Sequence, residues 1–166
     1  MVLDILKDHN AKASFFCIGD NVEKYPEVYA RIIEEGHAVG NHTQNHLNGW
    51  KTDDETYFKN ITSASHWIDS KLFRPPYGRM SRFQEKLISK KPLEYKTIMW
   101  TILSGDFDIK LDWNDCFKNI MGNLCKGAII VFHDSEKAEK RMIKALVHTL
   151  EKGRKEGWTF DKLPLI

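Results

Sequence analysis

The stretch from Gly36 to His46, Gly-His-Ala-Val-Gly-Asn-His-Thr-Gln-Asn-His, places a short apolar strand candidate before two histidines that are four residues apart. A metal ion lies about 2.1 Å from each imidazole nitrogen that binds it. Four residues of extended strand would separate the two side chains by about 13 Å. A shared ion therefore requires that His42 and His46 lie on a helical turn or a tight loop. The alternative is a pair of surface or capping histidines, because no Glu follows His42 as in helical zinc proteases.

Strand and helix candidates alternate on both sides of this stretch. Strands are predicted at 12–16, 37–39, 72–73, 95–100 and 128–132. Helices are predicted at 1–9, 21–35, 52–70, 81–90, 112–124 and 136–156. In the second helix, Val28, Ile32 and Ile33 are expected to face inward. This alternation is typical of a parallel sheet covered by helices. Because about six such units occur without a Gly-x-Gly-x-x-Gly fingerprint, we predict an α/β barrel rather than a dinucleotide-binding fold.

The composition predicts one globular domain over residues 1–166. The chain is 42% hydrophobic and 29% charged, which are ordinary values for a globular protein. The net charge is only +2 and no basic run alternates with aromatic residues, so nucleic acid is not an expected partner. No apolar stretch approaches the length of a membrane span. Cys17, Cys116 and Cys125 match neither a disulfide framework nor a Cys-x-x-Cys metal site, and we expect buried free thiols.

The residues that follow each predicted strand are candidates for function, because the chemistry of such barrels lies at the carboxyl ends of the strands. The segments are Arg74-Pro75-Pro76-Tyr77-Gly78, Ser104-Gly105-Asp106-Phe107-Asp108 and His133-Asp134. Arg74 fits a surface charge at a rigid turn as well as a functional cation, and Asp106 fits a loop cap as well as a catalytic carboxylate. His133 ends a buried strand, where a histidine is usually tied to a partner or catalytic.

Four of these segments together resemble the polysaccharide deacetylase family, whose members carry the NodB homology domain (carbohydrate esterase family 4). The segments are His-Thr-Gln-Asn-His at 42–46, Arg-Pro-Pro-Tyr-Gly at 74–78, Trp100 with Ser-Gly-Asp-Phe at 104–107, and Val-Phe-His at 131–133. They occur in the family's order and at about its spacing. Residues 14–19 and 25–27 also resemble its connecting segments. The resemblance runs from Met1 to about Phe160.

The resemblance implies a distorted (β/α) barrel that hydrolyses N- or O-acetyl groups of a carbohydrate with the help of zinc, cobalt or nickel. His42 and His46 would be metal ligands, and His133 the general acid that Asp106 keeps protonated. Arg74 would orient the carboxylate base. Tyr77 would offer its backbone N–H to the oxyanion. Phe107 and Val131 stand where many members have Trp and Leu, and both are expected to line the acetyl pocket.

One family motif is absent. The chain contains no Thr-Phe-Asp-Asp, the motif that supplies the base and the metal-binding Asp, and Asp53-Asp54 stands at a helix start, where it is expected to cap. The helix at 1–9 has Val2, Ile5 and Leu6 on one face but no capping residue before it. These features predict a barrel without its first strand, with reduced activity and exposed strand edges through which the chain can form a homodimer. A rescue in which Asp106 or Asp108 binds the ion is the less favoured alternative.

Two other functions remain open at this stage. A deacetylase-like barrel without activity would bind a glycan or a protein, and a non-carbohydrate amidase would use a similar ion. The sequence leaves open the acetylated sugar, the choice between N- and O-acetyl groups, and the preferred metal. Localisation is also open, because the chain shows no signal peptide whereas members of the family often act at the cell envelope or outside the cell.

Overall fold

The computed structural model describes residues 1–164 and groups them into two compact units. One unit contains Ala13–Met99 with the C-terminal residues from Lys162, and the other contains Met1–Lys12 and Trp100–Asp161. We refer to them as the four-stranded unit and the two-stranded unit, after their sheets. Every strand pair in the two sheets is parallel, which confirms the predicted α/β fold with parallel strands. The prediction of one domain over residues 1–166 stays a prediction.

The helices and strands alternate along the chain as the sequence predicts. In chain order they are α1 (Val2–Asp8), β1 (Ser14–Cys17), α2 (Gly19–Lys24), α3 (Pro26–Glu34), β2 (Ala38–Asn41), α4 (Asp54–Ala64), β3 (Leu72–Phe73), α5 (Arg82–Ile88), β4 (Lys96–Thr97), β5 (Ile102–Leu103), α6 (Trp113–Met121), β6 (Ile130–Val131) and α7 (Glu139–Lys155). Two 3₁₀ turns, Gly49–Lys51 and Pro76–Gly78, lie before α4 and α5.

The four-stranded unit has the strand order β1-β2-β3-β4. One core cluster consists of buried aromatic and aliphatic side chains from α4, β3, α5 and the residue just before β4. The members are Tyr57, Ile61, Phe73, Ile88 and Tyr95. Asp53 caps α4 by accepting the backbone N–H of Thr56 at 2.9 Å, as predicted. Because α4 is fixed at its start and buried along one face, the loop between β2 and α4 is anchored at both ends.

The two-stranded unit pairs β5 with β6 and packs α6 against α7. Ile102 pairs with Ile130, and Leu103 pairs with Val131. Apolar residues one turn apart on α7 are buried, which gives this helix one inward stripe. They include Met142, Leu146 and Leu150. Because β5 and β6 are paired, the segments that follow them, which contain Asp106 and His133, start from neighbouring positions.

The predicted helix at 21–35 is wrong as a single element, because it is broken at Tyr25. Pro26 has no backbone N–H and disfavours helical geometry in the residue before it. Tyr25 accordingly has φ −132° and ψ 60°, and α3 starts anew with Pro26 at its first position. Ile32 is buried as expected, but Val28 and Ile33 are 47% and 50% exposed, so their predicted inward orientation is wrong.

The predicted strand at 95–100 is too long, because only residues 96–97 form a strand, β4, beside β3. Residues 102–103, which were not predicted as a strand, form β5 beside β6 in the other sheet. The predicted helix at 52–70 ends earlier, at Ala64. All three cysteines are free thiols as predicted, but only Cys116 is buried, whereas Cys17 is of intermediate burial and Cys125 is exposed. None of the helices within residues 1–164 is long and apolar enough to cross a membrane.

Candidate active site

His42 and His46 lie in the tight loop that follows β2, as the spacing predicts. Their ring centres are 5.0 Å apart and the rings are inclined by 63°. Two imidazoles that bind one tetrahedral ion through nitrogens about 2.1 Å from it have ring centres about 5 Å apart, so the separation suits a shared ion.

The tautomer of His42 is fixed by a backbone contact. Its Nδ1 lies 2.6 Å from the carbonyl oxygen of Arg74. A carbonyl oxygen can only accept, so Nδ1 carries the proton. In the neutral ring, Nε2 is then the nitrogen with a lone pair. A hydrogen bond of this kind from the other ring nitrogen is the usual support of a metal-binding histidine.

The histidine loop has an unusual backbone. Thr43 has φ 69° and His46 has φ 64°, in the left-handed region that non-glycine residues rarely adopt. Thr43 is β-branched and fully buried, which makes its conformation a real outlier. The loop therefore needs support from its surroundings.

Asn41, at the end of β2, provides much of this support. Its Oδ1 accepts the backbone N–H of Thr43 at 2.8 Å, and its Nδ2 donates to the carbonyl of Ile61 at 3.0 Å and the hydroxyl of Tyr95 at 2.9 Å. The side chain is fully buried. It ties the strained loop to α4 and to the core cluster.

Two further side chains hold the middle of the loop. Asn60 Oδ1 accepts the backbone N–H groups of Gln44 and Asn45, at 3.0 and 3.3 Å. The Gln44 side chain donates to Asp20 at 2.8 Å. The sequence analysis missed Asn41, Asn60 and Asp20. A sequence signal was present only for Asn41, a polar residue that stands directly between a buried strand and His42.

Arg74 follows β3 and lies beside the histidine loop. Its Nε donates to the carbonyl of Ile98 at 3.0 Å and Nη2 to that of Met99 at 3.2 Å, while the guanidinium stacks 4.0 Å from the ring centre of Phe16. Burial lowers the pKa of Arg74 to about 10, so the group remains charged at neutral pH. A cation is thus held in place at this strand end, and its predicted functional role stays a prediction.

Tyr77 lies in the Pro-Pro-Tyr-Gly turn with φ 59° and its side chain 61% exposed. Its ring centre is 4.7 Å from that of His46 in an edge-on arrangement. The structure thus brings together four predicted residues of the four-stranded unit: His42, His46, Arg74 and Tyr77. The predicted role of the Tyr77 backbone N–H stays a prediction.

In the two-stranded unit, Asp106 holds His133 by two contacts. Asp106 Oδ1 lies 2.7 Å from His133 Nδ1, and Oδ2 accepts the backbone N–H of His133 at 2.7 Å. The Asp106 side chain is fully buried, whereas 41% of the His133 side chain is exposed. A buried carboxylate that accepts from Nδ1 orients the imidazole and leaves Nε2 as the nitrogen available for proton transfer.

The backbone around Asp106 is fixed from both sides. Its N–H donates to Ser104 Oγ at 3.3 Å, and its carbonyl accepts from Arg141 Nε of α7 at 2.9 Å. Arg141 was not identified from the sequence, because its partner is a backbone carbonyl that carries no sequence signal. Together these contacts fix the position of Asp106, and its predicted catalytic role stays a prediction.

The two residues predicted to line an acetyl pocket differ in exposure. The Phe107 ring is 42% exposed and lies 5.2 Å from the His133 ring, edge-on. Val131 is buried in β6, two residues before His133. Phe107 thus contacts the histidine directly, whereas the place of Val131 in a pocket stays a prediction.

His42 and His46 are two candidate metal donors, and a third candidate donor is not found beside them in the described residues. Within residues 1–164, no cluster of three or more His, Cys, Asp or Glu side chains is arranged to hold a metal ion. Both carboxylate oxygens of Asp106 are used by His133. The rescue in which Asp106 binds the ion would therefore disrupt the Asp106–His133 pair.

Comparison with known proteins supports the class of protein that this fold and these residues define. The family model for polysaccharide deacetylase matches residues 1–96. A peptidoglycan-N-acetylglucosamine deacetylase of Bacillus cereus is 32% identical over 169 residues, which cover 96% of this chain and 76% of the relative. A second one from the same species is 30% identical over 170 residues, which cover 98% of the chain and 61% of the relative. The chain thus spans about three fifths of the length of this second relative.

A solved structure agrees with these sequence matches. A crystal structure of a peptidoglycan N-acetylglucosamine deacetylase superposes with a TM-score of 0.90 at 30% identity, over 98% of this chain and 78% of that one. The fold is therefore an α/β fold of the deacetylase type. The chain belongs to the polysaccharide deacetylase family.

Proposed function

We propose that this chain carries the histidine ligands and the acid residue of a metal-dependent deacetylase that hydrolyses acetyl groups on a carbohydrate polymer or oligomer. The observation that carries the proposal is the His42–His46 pair, with rings 5.0 Å apart and the Nδ1 proton of His42 held by the Arg74 carbonyl. Family membership supports it, as do relatives named as peptidoglycan N-acetylglucosamine deacetylases.

The two histidines fit a divalent ion as part of its donor set. Neutral imidazole suits zinc, cobalt and nickel, and zinc is the first choice for a hydrolase. When bound, such an ion supplies Lewis acidity toward an acetyl carbonyl. Because residues 1–164 supply no third donor in one cluster with them, we expect weak metal binding by this chain.

The other residues have roles that follow from their own contacts. His133, oriented by Asp106, gives a proton to the departing nitrogen or oxygen through Nε2. The half-buried cation of Arg74 orients a carboxylate, and the backbone N–H of Tyr77 stabilises developing negative charge on the acetyl oxygen. Phe107, against His133, and Val131 shape the pocket for the acetyl methyl group.

The second candidate function is glycan or protein binding without hydrolysis. For the chain by itself it is favoured by the lack of a Thr-Phe-Asp-Asp segment in the sequence and of a three-donor cluster within residues 1–164. The oriented Asp106–His133 pair favours the enzyme, because mere binding does not need a buried carboxylate that positions an imidazole. We therefore expect impaired activity for these 166 residues.

The test measures acetate release from N-acetylated chitooligosaccharide, peptidoglycan fragments and O-acetylated xylan, with zinc or cobalt and with chelator. The chain is compared with a longer polypeptide that carries a Thr-Phe-Asp-Asp segment upstream. We expect metal-dependent release by the longer form and release slower by about 100-fold or more from the chain alone. If the longer form releases no acetate from any of these substrates, the enzyme proposal is wrong and the binding function replaces it.

Zinc titration calorimetry provides the second arm of the test. His42→Ala and His46→Ala are each expected to abolish measurable binding by the chain. His66→Ala is the matched control, because His66 is an exposed histidine whose Nδ1 contacts the backbone carbonyl of Ser63 at the end of α4. Equal zinc affinity in all three variants would show that the histidine loop is not the metal site.

A further inference from the structure

Trp50 is a large aromatic residue that is displayed at the surface in a fixed orientation. It lies in the 3₁₀ turn Gly49–Lys51, and its side chain is 63% exposed. The indole Nε1–H donates to the carbonyl of Met80 at 3.1 Å, and the Arg79 guanidinium lies 4.2 Å from the ring centre. These two contacts restrict rotation of the Trp50 side chain. The rest of its apolar surface is therefore exposed in one orientation.

Hydrogen bonds and close backbone packing hold the segments that carry Trp50 and Arg79 together. The backbone N–H of Gly49 donates to the carbonyl of Arg79 at 3.1 Å, and the buried Gln84 side chain donates to the carbonyl of Gly49 at 3.0 Å. A Cβ on Gly49 would lie 2.7 Å from the Arg79 carbonyl oxygen, so only glycine permits this approach. Met80 packs against the core cluster around Tyr57. The segment at residues 49–50 is thus held against the segment at residues 79–80.

Trp50 and Arg79 each lie a few residues after a residue of the candidate active site. Trp50 comes four residues after His46, so their Cα atoms are at most about 15 Å apart. Arg79 comes two residues after Tyr77, whose ring contacts His46. A glycan whose acetyl group lies at the histidines therefore has Trp50 within reach of a short oligosaccharide.

The Arg79 side chain gives this surface a charge preference. Within residues 1–164 it stacks on Trp50 but forms no ion pair or side-chain hydrogen bond. A guanidinium that stacks by its face still presents the N–H groups at its edge, which match the two oxygens of a carboxylate. Exposed Trp and Arg are also the side chains that contribute most to binding surfaces.

We propose that Trp50 and Arg79 form a saccharide-binding subsite that selects glycan strands bearing carboxylate groups, such as peptidoglycan strands whose lactyl carboxylates are free of stem peptide, over neutral N-acetylated glycans. This inference rests on the proposed function in its choice of ligand class. Trp50 stacks on the apolar face of a sugar ring, and Arg79 binds a carboxylate on the same or the next ring. Neither residue acts on the acetyl group.

The test is equilibrium binding by calorimetry, which needs no hydrolysis. The ligands are tetra-N-acetylchitotetraose and a peptidoglycan tetrasaccharide with free lactyl carboxylates. We expect the unmodified chain to bind the acidic tetrasaccharide about tenfold more tightly. Trp50→Ala should weaken both ligands by about tenfold or more. Arg79→Gln should remove the preference for the acidic ligand and leave the neutral one within about twofold.

The chain offers matched controls for both variants. Trp67→Ala removes a second exposed tryptophan, and Arg82→Gln removes an exposed arginine three residues after Arg79. Neither should change the affinity for either ligand. Trp50→Phe keeps a stacking ring without the indole N–H and should bind better than Trp50→Ala.

The possible outcomes separate this inference from the proposed function. If Trp50→Ala and Trp67→Ala bind alike, or if the unmodified chain does not prefer the acidic ligand, the subsite is wrong, even where the longer polypeptide releases acetate. If Trp50 and Arg79 affect binding as described but no form releases acetate, the subsite stands and the hydrolase proposal fails.

Discussion

Nδ1 of His133 lies 2.7 Å from Oδ1 of Asp106, while the other carboxylate oxygen accepts the backbone N–H of the same histidine at 2.7 Å. One buried carboxylate thus fixes both the position and the ring orientation of one partly exposed imidazole. This geometry needs two acceptor oxygens, because both groups that face Asp106 are donors. An amide in its place cannot satisfy both.

Asp106→Asn is therefore expected to misorient His133 and to lower stability by about 2 kcal/mol, since a donor would face a donor in a buried place. The measurements are urea unfolding and the imidazole nitrogen shifts of His133 by NMR. Asp108→Asn is the control, because Asp108 is less buried and only its Oδ1 accepts from the Lys110 backbone. Unchanged His133 shifts in Asp106→Asn would contradict the positioning role.

The same variant also decides whether Asp106 binds metal. Both of its carboxylate oxygens are used by His133, so we expect Asp106→Asn to retain the zinc affinity of the unmodified chain. Calorimetric titration measures this. Abolished zinc binding would instead support the rescue in which Asp106 is a ligand.

Asn41→Ala is expected to destabilise the chain by about 3 kcal/mol, because three buried hydrogen bonds are lost and their partners are left unsatisfied. Tyr95→Phe removes only one of them and should cost about 1 kcal/mol. Urea unfolding provides both values. The exposed Asn21 on α2 supplies the control, since Asn21→Ala should change stability by less than about 0.5 kcal/mol. Similar effects of Asn41→Ala and Asn21→Ala would show that the histidine loop does not depend on Asn41.

The cysteines are expected to differ strongly in reactivity. Burial raises the pKa of Cys17 to about 12, so its thiolate fraction at pH 8 is about 10⁻⁴. Burial, with a smaller contribution from Asp106, also raises the pKa of Cys116. Only the exposed Cys125 should react quickly with a thiol reagent in the folded chain, and all three should react in denaturant. A fast phase that persists in Cys125→Ser would contradict this assignment.

The raised pKa of Cys17 also predicts a pH dependence of stability. Below its ordinary value of 9.0 the thiol is protonated in both the folded and the unfolded chain. Between pH 9 and about 12 the unfolded chain releases the proton while the folded chain keeps it, so stability falls as pH rises. Cys17→Ala should fall less steeply over this range in urea unfolding. Identical slopes would show that Cys17 does not contribute.

Gly49→Ala is expected to lower stability by about 1–3 kcal/mol, because its Cβ would meet the Arg79 carbonyl and the Gln84 side chain. It should also change the near-UV circular dichroism of Trp50. Gly127→Ala is the comparison, since nothing lies near an added Cβ there and only its φ of 78° resists the change. A near-UV spectrum that Gly49→Ala leaves unaltered would contradict the locked orientation of Trp50.

The sequence predicts the parallel α/β class, the strand at 72–73, the Asp53 cap and the residues at the strand ends, because these depend on local patterns. Apolar runs, caps and polar residues after strands are all read within a few positions. The break before Pro26 was also within reach, since proline restricts the residue that precedes it.

Other features depend on contacts between distant segments. The segment from Tyr95 to Leu103 contains two short strands that belong to different sheets, and its local pattern does not show which sheet each one joins. The anchoring of Trp50 rests on backbone carbonyls at positions 79 and 80. Every residue has a backbone carbonyl, so the sequence does not show which carbonyl accepts these hydrogen bonds.

The positive φ angles of Thr43 and His46 have a consequence for ion selectivity. The protein holds this conformation through Asn41 and Asn60, so the spacing of the two imidazoles is set before any ion arrives. Under the proposed function, an ion would not have to organise the loop. We therefore expect ions that compete for this loop to be discriminated by radius and preferred coordination geometry rather than by their concentration alone.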